Sequence, residues 1–84
     1  MAWSDIQVSL VGFSGTVVTL SATNPQSTSE SARVGVRVTL AGGASADLRS
    51  SNLIFGPGET KSVNLNAPGA VVGIEDSPSP MPPQ

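Results

Sequence analysis

The chain has 84 residues, of which 38% are hydrophobic and 12% are charged, with a formal net charge of −2 and neither cysteine nor histidine. It therefore forms no disulfide and lacks the commonest general base and transition-metal ligand. Lys and Arg number 4 in total, which argues against nucleic-acid binding, because phosphate contacts need clustered positive charge. A chain of this length forms one domain whose core is near the lower size limit for independent stability.

The first half of the chain alternates apolar and polar residues with the period of two that is typical of β-strands. The predicted strands are 4–11, 16–23 and 32–41. A turn at 12–15 separates the first two, and Asn24 and Pro25 end the second, because proline has no N–H for a ladder. The residues expected in the core are Ile6, Val8, Leu10, Val18, Leu20, Ala22, Val34, Val36, Val38 and Leu40.

The second half of the chain is also patterned as short strands, and no helical stretch is predicted. Segment 44–51 is weakly patterned, with Leu48 reaching the core. Leu53 and Phe55 share a face ahead of a tight turn at 56–58, where glycine and proline cluster. Two further strands are predicted over 60–65, with Val63 and Leu65 inward, and over 70–74.

The last residues differ in composition from the rest. Residues 1–75 are predicted to form the domain, and residues 76–84 a Pro-rich tail. Because proline donates no backbone hydrogen bond, we expect this tail to stay outside the sheets in an extended, polyproline-like conformation. Either a partner surface or the flank of the domain holds it.

Three features of segment 17–66 occur together. A strand ends in Thr23-Asn24-Pro25 before a polar insertion, a strand of alternating valines follows, and Leu53-Ile54-Phe55-Gly56-Pro57-Gly58-Glu59-Thr60-Lys61-Ser62-Val63 leads into a late strand. This combination resembles bacterial and phage immunoglobulin-like modules. The resemblance implies an all-β fold, an immunoglobulin-like antiparallel β-sandwich of six or seven short strands.

The resemblance implies little about function, since such modules occur in cell-surface proteins, beside glycoside hydrolases and on phage virions. The chain departs from antibody-type domains because it lacks the cysteine pair and because its single tryptophan, Trp3, precedes the first strand. No binding residue is carried over from the family.

No group of residues has the composition of a catalytic or metal site. Serines are plentiful, but no histidine is present to activate one as a nucleophile. Lys61 is the only lysine that could take that role. Glu75 and Asp76 lack the regular oxygen-ligand spacing of a calcium loop. We expect no enzymatic activity, no cofactor and no metal.

Candidate partner-binding residues lie at the two chain ends and on one strand. Trp3 either caps the open end of the core or inserts into a pocket of another protein. Arg33 and Arg37 point outward on one face, where they either clamp an acidic partner or form a solvated face that discourages aggregation. The tail is predicted to act as a docking strap through Pro78, Pro80, Met81, Pro82 and Pro83.

These observations favour a non-enzymatic structural protein. We expect a head decoration, or cement, protein of a tailed phage, which docks on the major capsid protein lattice or on another virion protein. It would be made in the host cytoplasm and located on the capsid surface, because Met1 to Asp5 do not resemble a signal peptide. No nucleic-acid or membrane contact is expected, and self-association stays open. The alternatives are a tail or fibre module, or an extracellular carbohydrate- or protein-binding accessory module.

Overall fold

The structure, a computed structural model, describes residues 5–82. These residues form seven strands and no helix. The strands are β1 Gln7–Ser14, β2 Val17–Thr23, β3 Glu30–Leu40, β4 Ser45–Arg49, β5 Leu53–Phe55, β6 Thr60–Asn66 and β7 Val71–Met81. All pairings are antiparallel.

The strands form two sheets that pack as a sandwich. One sheet has the order β1–β2–β6, and in the other β3 pairs with β4, β5 and β7. This is the immunoglobulin arrangement, in which strands A, B and E form one sheet and C pairs with C′ and F in the other. The fold class predicted from the sequence is confirmed. In residues 5–82, no strand occupies the place of strand G beside β7.

The core lies between the sheets and consists of the inward-facing residues of alternating strands. Phe55 is the largest fully buried side chain within residues 5–82. The predicted inward sets of β2, β3 and β6 are confirmed, as is burial of Leu48. Of the three core residues predicted in the first strand, Ile6 is buried, Val8 is half-buried against the core and Leu10 remains 39% exposed.

The first strand differs from its prediction at its C-terminal end. β1 continues through the predicted turn at 12–15 to Ser14, and its register with β2 shifts between Leu10 and Gly12. This bulge absorbs one residue and lets the strand go on pairing. The turn is then limited to Gly15, with a φ of 58°, and Thr16.

A single buried polar side chain joins the two most distinctive sequence motifs. Asn24, which precedes Pro25, donates from Nδ2 to the carbonyl oxygens of Thr28 at 2.8 Å and Gly56 at 3.1 Å, and its Oδ1 accepts from Gln26 N at 3.1 Å. Asn24 is fully buried. Its amide therefore provides hydrogen-bond partners for backbone groups of both the polar loop after β2 and the turn after β5.

The structure of the Pro-rich tail differs from the sequence prediction. The last predicted strand, 70–74, extends to Met81, and residues 76–81 pair with Arg37 to Arg33 of β3, so the expectation that the tail stays outside the sheets is wrong. The register slips at three places along β7, and Pro78 lies within the slip between Asp76 and Ser79. Bulges of this kind accommodate a residue that cannot donate to the ladder.

Pro80 is tolerated for a different reason. It is paired with Val34, whose N–H donates to Ser50 Oγ at 2.9 Å and whose carbonyl accepts from Ser50 N at 2.8 Å. The N–H and the carbonyl of Val34 thus both point away from β7. Val34 therefore needs no hydrogen-bond donor from Pro80. Its own missing N–H lies on the opposite edge of β7.

Candidate interaction surfaces

The outer face of the second sheet carries a shallow hollow above Gly35. Gly35 is buried, and the side chain of Met81 lies over its backbone. The hollow has a volume of about 180 Å³. Charged and hydroxyl groups from three strands surround it: Arg37, Asp47, Arg49, Asp76, Ser77 and Ser79. We call this feature the Gly35 hollow.

Arg37 forms one wall of the Gly35 hollow and is engaged by two acids of its own chain. Its Nε donates to Glu75 Oε1 at 3.3 Å, and its Nη1 lies 3.6 Å from Asp47 Oδ1. The other oxygen of Glu75 accepts from Thr39 Oγ1 at 2.9 Å and from Ser45 Oγ. The hydrogen bonds from Ser45, Thr39 and Arg37 lower the pKa of Glu75. The cluster therefore keeps the Glu75 carboxylate ionised and fixes the Arg37 side chain.

Arg33 lies on the same outer face and holds the end of the tail. Its Nε donates to the carbonyl oxygen of Pro82 at 2.9 Å, next to the paired residue Met81. Both predicted arginines thus share a face, as expected, and each has a partner within the chain. That they bind an acidic partner stays a prediction.

The tail residues proposed as a strap do not all lie on that face. Met81, paired with Arg33, lies on the outer face, whereas Pro80, paired with the buried Val34, lies on the core side of β7. Pro78, Pro80 and Met81 are half-buried within β7, and Pro82 is exposed. Trp3 and Pro83 lie outside the described residues. The structure therefore brings Arg33, Met81 and Pro82 together.

A second candidate surface lies where β1 runs beside the start of β7. The N–H of Val71 donates to the carbonyl of Gly15 at 2.8 Å, which places the two strands next to each other there. Val11 is 65% exposed and Val72 59% exposed, and both lie at register slips. Leu10, 39% exposed, and Phe13, 40% exposed, lie on the same stretch of β1 as Val11. We call these four apolar residues the β1–β7 seam.

The outer face of the first sheet is polar and uncharged at its centre. Thr19 Oγ1 donates to Asn64 Oδ1 at 2.8 Å, and the hydroxyls of Thr23 and Thr60 are 2.8 Å apart. These cross-strand pairs stabilise the pairing of β2 with β6.

Sequence reasoning missed the β1–β7 seam, although two signals pointed to it. Leu10 and Val11 are adjacent apolar residues, as are Val71 and Val72, and each pair breaks the alternation of its strand. In both places the extra apolar residue belongs to a bulge and faces solvent.

Acidic residues do not gather into a metal-binding group of three or more anywhere in residues 5–82. The same part of the chain has no helix with the length and hydrophobicity needed to cross a membrane. Lys61 Nζ lies 3.3 Å from Glu59 Oε2 and 5.9 Å from the centre of the Phe55 ring.

Comparison of the chain with protein-family models, with curated proteins and with solved structures found no significant match.

Proposed function

We propose that the protein is a non-enzymatic structural protein that acts by binding another protein, and that it is a decoration protein of a tailed-phage head. The observation that supports binding is the β1–β7 seam. Single exposed apolar residues are ordinary on protein surfaces, but apolar residues gathered on adjacent strands are typical of an interaction site. Here four such side chains lie on neighbouring stretches of β1 and β7.

Decoration of a capsid suits the physical properties of this domain. A domain of this size has a small core, and any partner that binds only the folded state adds to its stability. A capsid lattice presents the same partner surface many times, so weak contacts suffice for high occupancy when copies also touch their neighbours. The proposed partner is the major capsid protein, and the proposed location is the virion surface. A tail or fibre module would use the same surface on another virion protein.

The Gly35 hollow favours a second candidate function, that of an extracellular accessory module that binds a carbohydrate or a protein. Its rim combines two arginines with carboxylate and hydroxyl groups, which are the groups that hydrogen-bond to sugar hydroxyls. This function predicts binding that depends on Arg49, Ser77 and Ser79 and is unaffected by changes in the β1–β7 seam.

The experiment that tests the proposal is co-sedimentation of the purified protein with isolated tailed-phage heads and, separately, with tails. We expect saturable binding to heads that falls strongly for Val72→Lys. Ile54→Lys is the matched control, because Ile54 is 69% exposed and lies on β5, away from the seam. Binding to tails alone would favour the tail module. Absence of binding to either particle would overturn the proposal, and a glycan-array signal lost on Ser79→Ala would favour the accessory module.

A further inference from the structure

The two long sides of the sandwich differ in how their strand edges are covered. On one side β1 runs beside β7, so the outer edges of these two strands face each other. On the other side lie β6 of the first sheet and β4 of the second. Among the strands in residues 5–82, β6 pairs with β2 alone and β4 with β3 alone. In the immunoglobulin fold, strand D pairs with this edge of strand E, and no described strand takes that place beside β6.

The ladder between β2 and β6 determines which backbone groups reach the open edge of β6. Two hydrogen bonds just beyond the ends of β6 fix its phase: Asn24 N donates to Glu59 O at 2.9 Å, and Ala67 N donates to Thr16 O at 2.7 Å. In an antiparallel ladder every second pair of residues is hydrogen-bonded. The hydrogen-bonded pairs in between are therefore Ala22–Lys61, Leu20–Val63 and Val18–Leu65.

The open edge of β6 is regular and uncharged. The residues between the hydrogen-bonded ones direct their N–H and carbonyl groups away from β2, and these residues are Thr60, Ser62, Asn64 and Asn66. Their side chains are exposed, and none of them carries a charge. No proline and no register shift interrupts the strand. Such an edge is a template for a further strand.

The edge of β4 on the same side is protected. β4 spans only Ser45–Arg49, and the exposed side chains of Asp47 and Arg49 are charged. Short length and charged side chains both discourage the addition of a strand. The first sheet, at β6, is therefore the one that can be extended.

We propose that β6 pairs in antiparallel orientation with β6 of a second copy, which joins their first sheets into one continuous sheet. This inference goes beyond the proposed function, because it concerns contacts between copies and needs no capsid. A two-fold axis at Val63 sets the whole strand against itself. Thr60 then lies opposite Asn66 of the second copy and Ser62 opposite Asn64, and each of these pairs can exchange both backbone hydrogen bonds.

The side chains of β6 are compatible with themselves in this register. On the outer face each hydroxyl lies opposite an amide, a pair that can hydrogen-bond. On the inner face Val63 lies opposite Val63 of the second copy, and the apolar stem of Lys61 lies along Leu65.

The one charged residue of β6 also selects this register. Lys61 faces inward near the start of the strand, and its Nζ lies 3.3 Å from Glu59 Oε2. A two-fold axis at position 61 would set two lysines opposite each other, whereas the axis at Val63 keeps them apart at opposite ends of the paired region. The lysine therefore opposes the shorter pairings and permits the full-length one.

The contact is expected to be weak in solution. Val63 and Leu65 are already 9% and 6% exposed, so pairing buries little further apolar surface and depends mainly on backbone hydrogen bonds, whose net contributions are modest. Its area falls at the low end for protein interfaces. A contact of this strength becomes effective where many copies are held close together.

The test compares two double variants that replace the same two side chains. Ser62→Lys with Asn64→Lys places like charges opposite each other on both sides of the two-fold axis. Ser62→Lys with Asn64→Glu places opposite charges at the same positions. Thermal melting checks that both variants are folded.

Sedimentation velocity over a series of protein concentrations measures the association. We expect the unmodified protein to dimerise with a dissociation constant between micromolar and millimolar. The like-charged variant should bind itself about tenfold more weakly, because cross-strand like charges are destabilising. The oppositely charged variant should associate at least as tightly as the unmodified protein. Equal dissociation constants for the two variants, or a protein that stays monomeric at millimolar concentration, would overturn the proposal.

Hydrogen exchange identifies the strand that forms the contact. The amides at 60, 62, 64 and 66 should exchange more slowly in concentrated than in dilute protein. Those at 61, 63 and 65 should change less, because they are already bonded to β2. A dimer without this alternation would use another surface, and the β6 pairing would be wrong.

Binding to heads is a separate measurement. If the protein dimerises with the expected exchange pattern and does not bind heads, the β6 contact stands and the capsid partner is wrong. If it binds heads but stays monomeric at millimolar concentration, the proposed function stands and the β6 pairing is wrong.

Discussion

The side chain of Met81 occupies the space that a side chain at position 35 would take. A Cβ on Gly35 would lie 3.3 Å from Met81 Sδ and 2.9 Å from the carbonyl oxygen of Leu48. The absence of a side chain at the middle of β3 thus lets the Met81 side chain lie over the β3 backbone. The flexible thioether of methionine is suited to such an irregular gap.

Gly35→Ala should therefore destabilise the domain. The Met81 side chain can move, but the Leu48 carbonyl belongs to the neighbouring strand and cannot move without disturbing the pairing of β3 with β4. We expect a loss of about 1–3 kcal/mol in the free energy of unfolding, the range for overpacked sites. Urea denaturation measures it. Gly12→Ala is the control, because that position has open space, and an equal loss there would show that Met81 and Leu48 are not the cause.

Removal of the tail should destabilise the isolated domain. A chain that ends at Asp76 loses the residues paired with Arg33, Val34 and Gly35. We expect the melting temperature to fall by roughly 8 °C or more, since ~2 kcal/mol corresponds to at least that shift in a domain of this size. A chain that ends at Pro82 retains every described strand and is the control. A difference of only a few degrees between the two would mean that the end of β7 contributes little to stability.

Asn24→Asp should be severely destabilising although it only replaces the side-chain NH2 group by an oxygen. The amide donates to the carbonyl oxygens of Thr28, Phe55 and Gly56, and a carboxylate would instead face those oxygens as a buried, unpaired charge. We expect a loss of about 3 kcal/mol or more, measured by denaturation at pH 7. The loss should be smaller at acidic pH, where the new carboxyl is protonated and regains one donor.

Asn66→Asp provides the comparison for that substitution. Asn66 is exposed at the end of β6, and its change should alter stability by no more than about 0.5 kcal/mol. Similar losses at positions 24 and 66 would contradict the role given to the buried amide.

The pKa of Glu75 should rise when its largest hydrogen-bond contribution is removed. Ser45→Ala removes the hydroxyl that does most to lower it, so the pKa should move towards the ordinary value of 4.5. A titration followed by carboxyl ¹³C NMR measures the shift. The pKa of Glu59 is lowered by Gly56 N and by Lys61, so it should be the same in both proteins.

The sign of the stability effect follows from linkage. Because the folded pKa of Glu75 lies below the unfolded value, the unfolded state binds more protons in the acidic range. The advantage of the wild type over Ser45→Ala should be fully present above pH 4.5 and should disappear as the pH falls through the lowered folded pKa. If the wild type stays more stable than Ser45→Ala at pH values below the lowered folded pKa, ionisation of Glu75 is not the cause of the difference.

The fold was predictable because its strands alternate regularly. Val34, Val36 and Val38 face one side of a strand over a long run, and burial of one face fixes their register. The limits of prediction lay at the bulges. The alternation rule alone does not say whether the strand ends at Val11, as predicted, or continues past it through a bulge. It also assigns Leu10 to the core, whereas Leu10 is 39% exposed.

The candidate surfaces were predictable only in part. The spacing of Arg33 and Arg37 predicts that both point outward. Their partners Pro82, Glu75 and Asp47 lie in or next to other strands, and the periodicity of one strand cannot identify them. The prolines of the tail were excluded from the sheet on their own properties. Whether Pro80 is tolerated depends on Val34, whose backbone groups are used by Ser50.

The long reach of the pairing between β3 and β7 affects the order in which the domain can assemble. The hairpins β1–β2 and β3–β4 pair strands that are consecutive in the chain. By contrast, Arg33 pairs with Met81 and Val18 pairs with Leu65, which are far apart in sequence. Contacts of such sequence separation are slow to form, because the closure entropy of the loop must be overcome first. During synthesis, the edge of β3 that pairs with β7 stays unpaired until residue 81 has emerged from the ribosome. An unpaired strand edge can pair with another chain, so for that interval the nascent chain is vulnerable to aggregation.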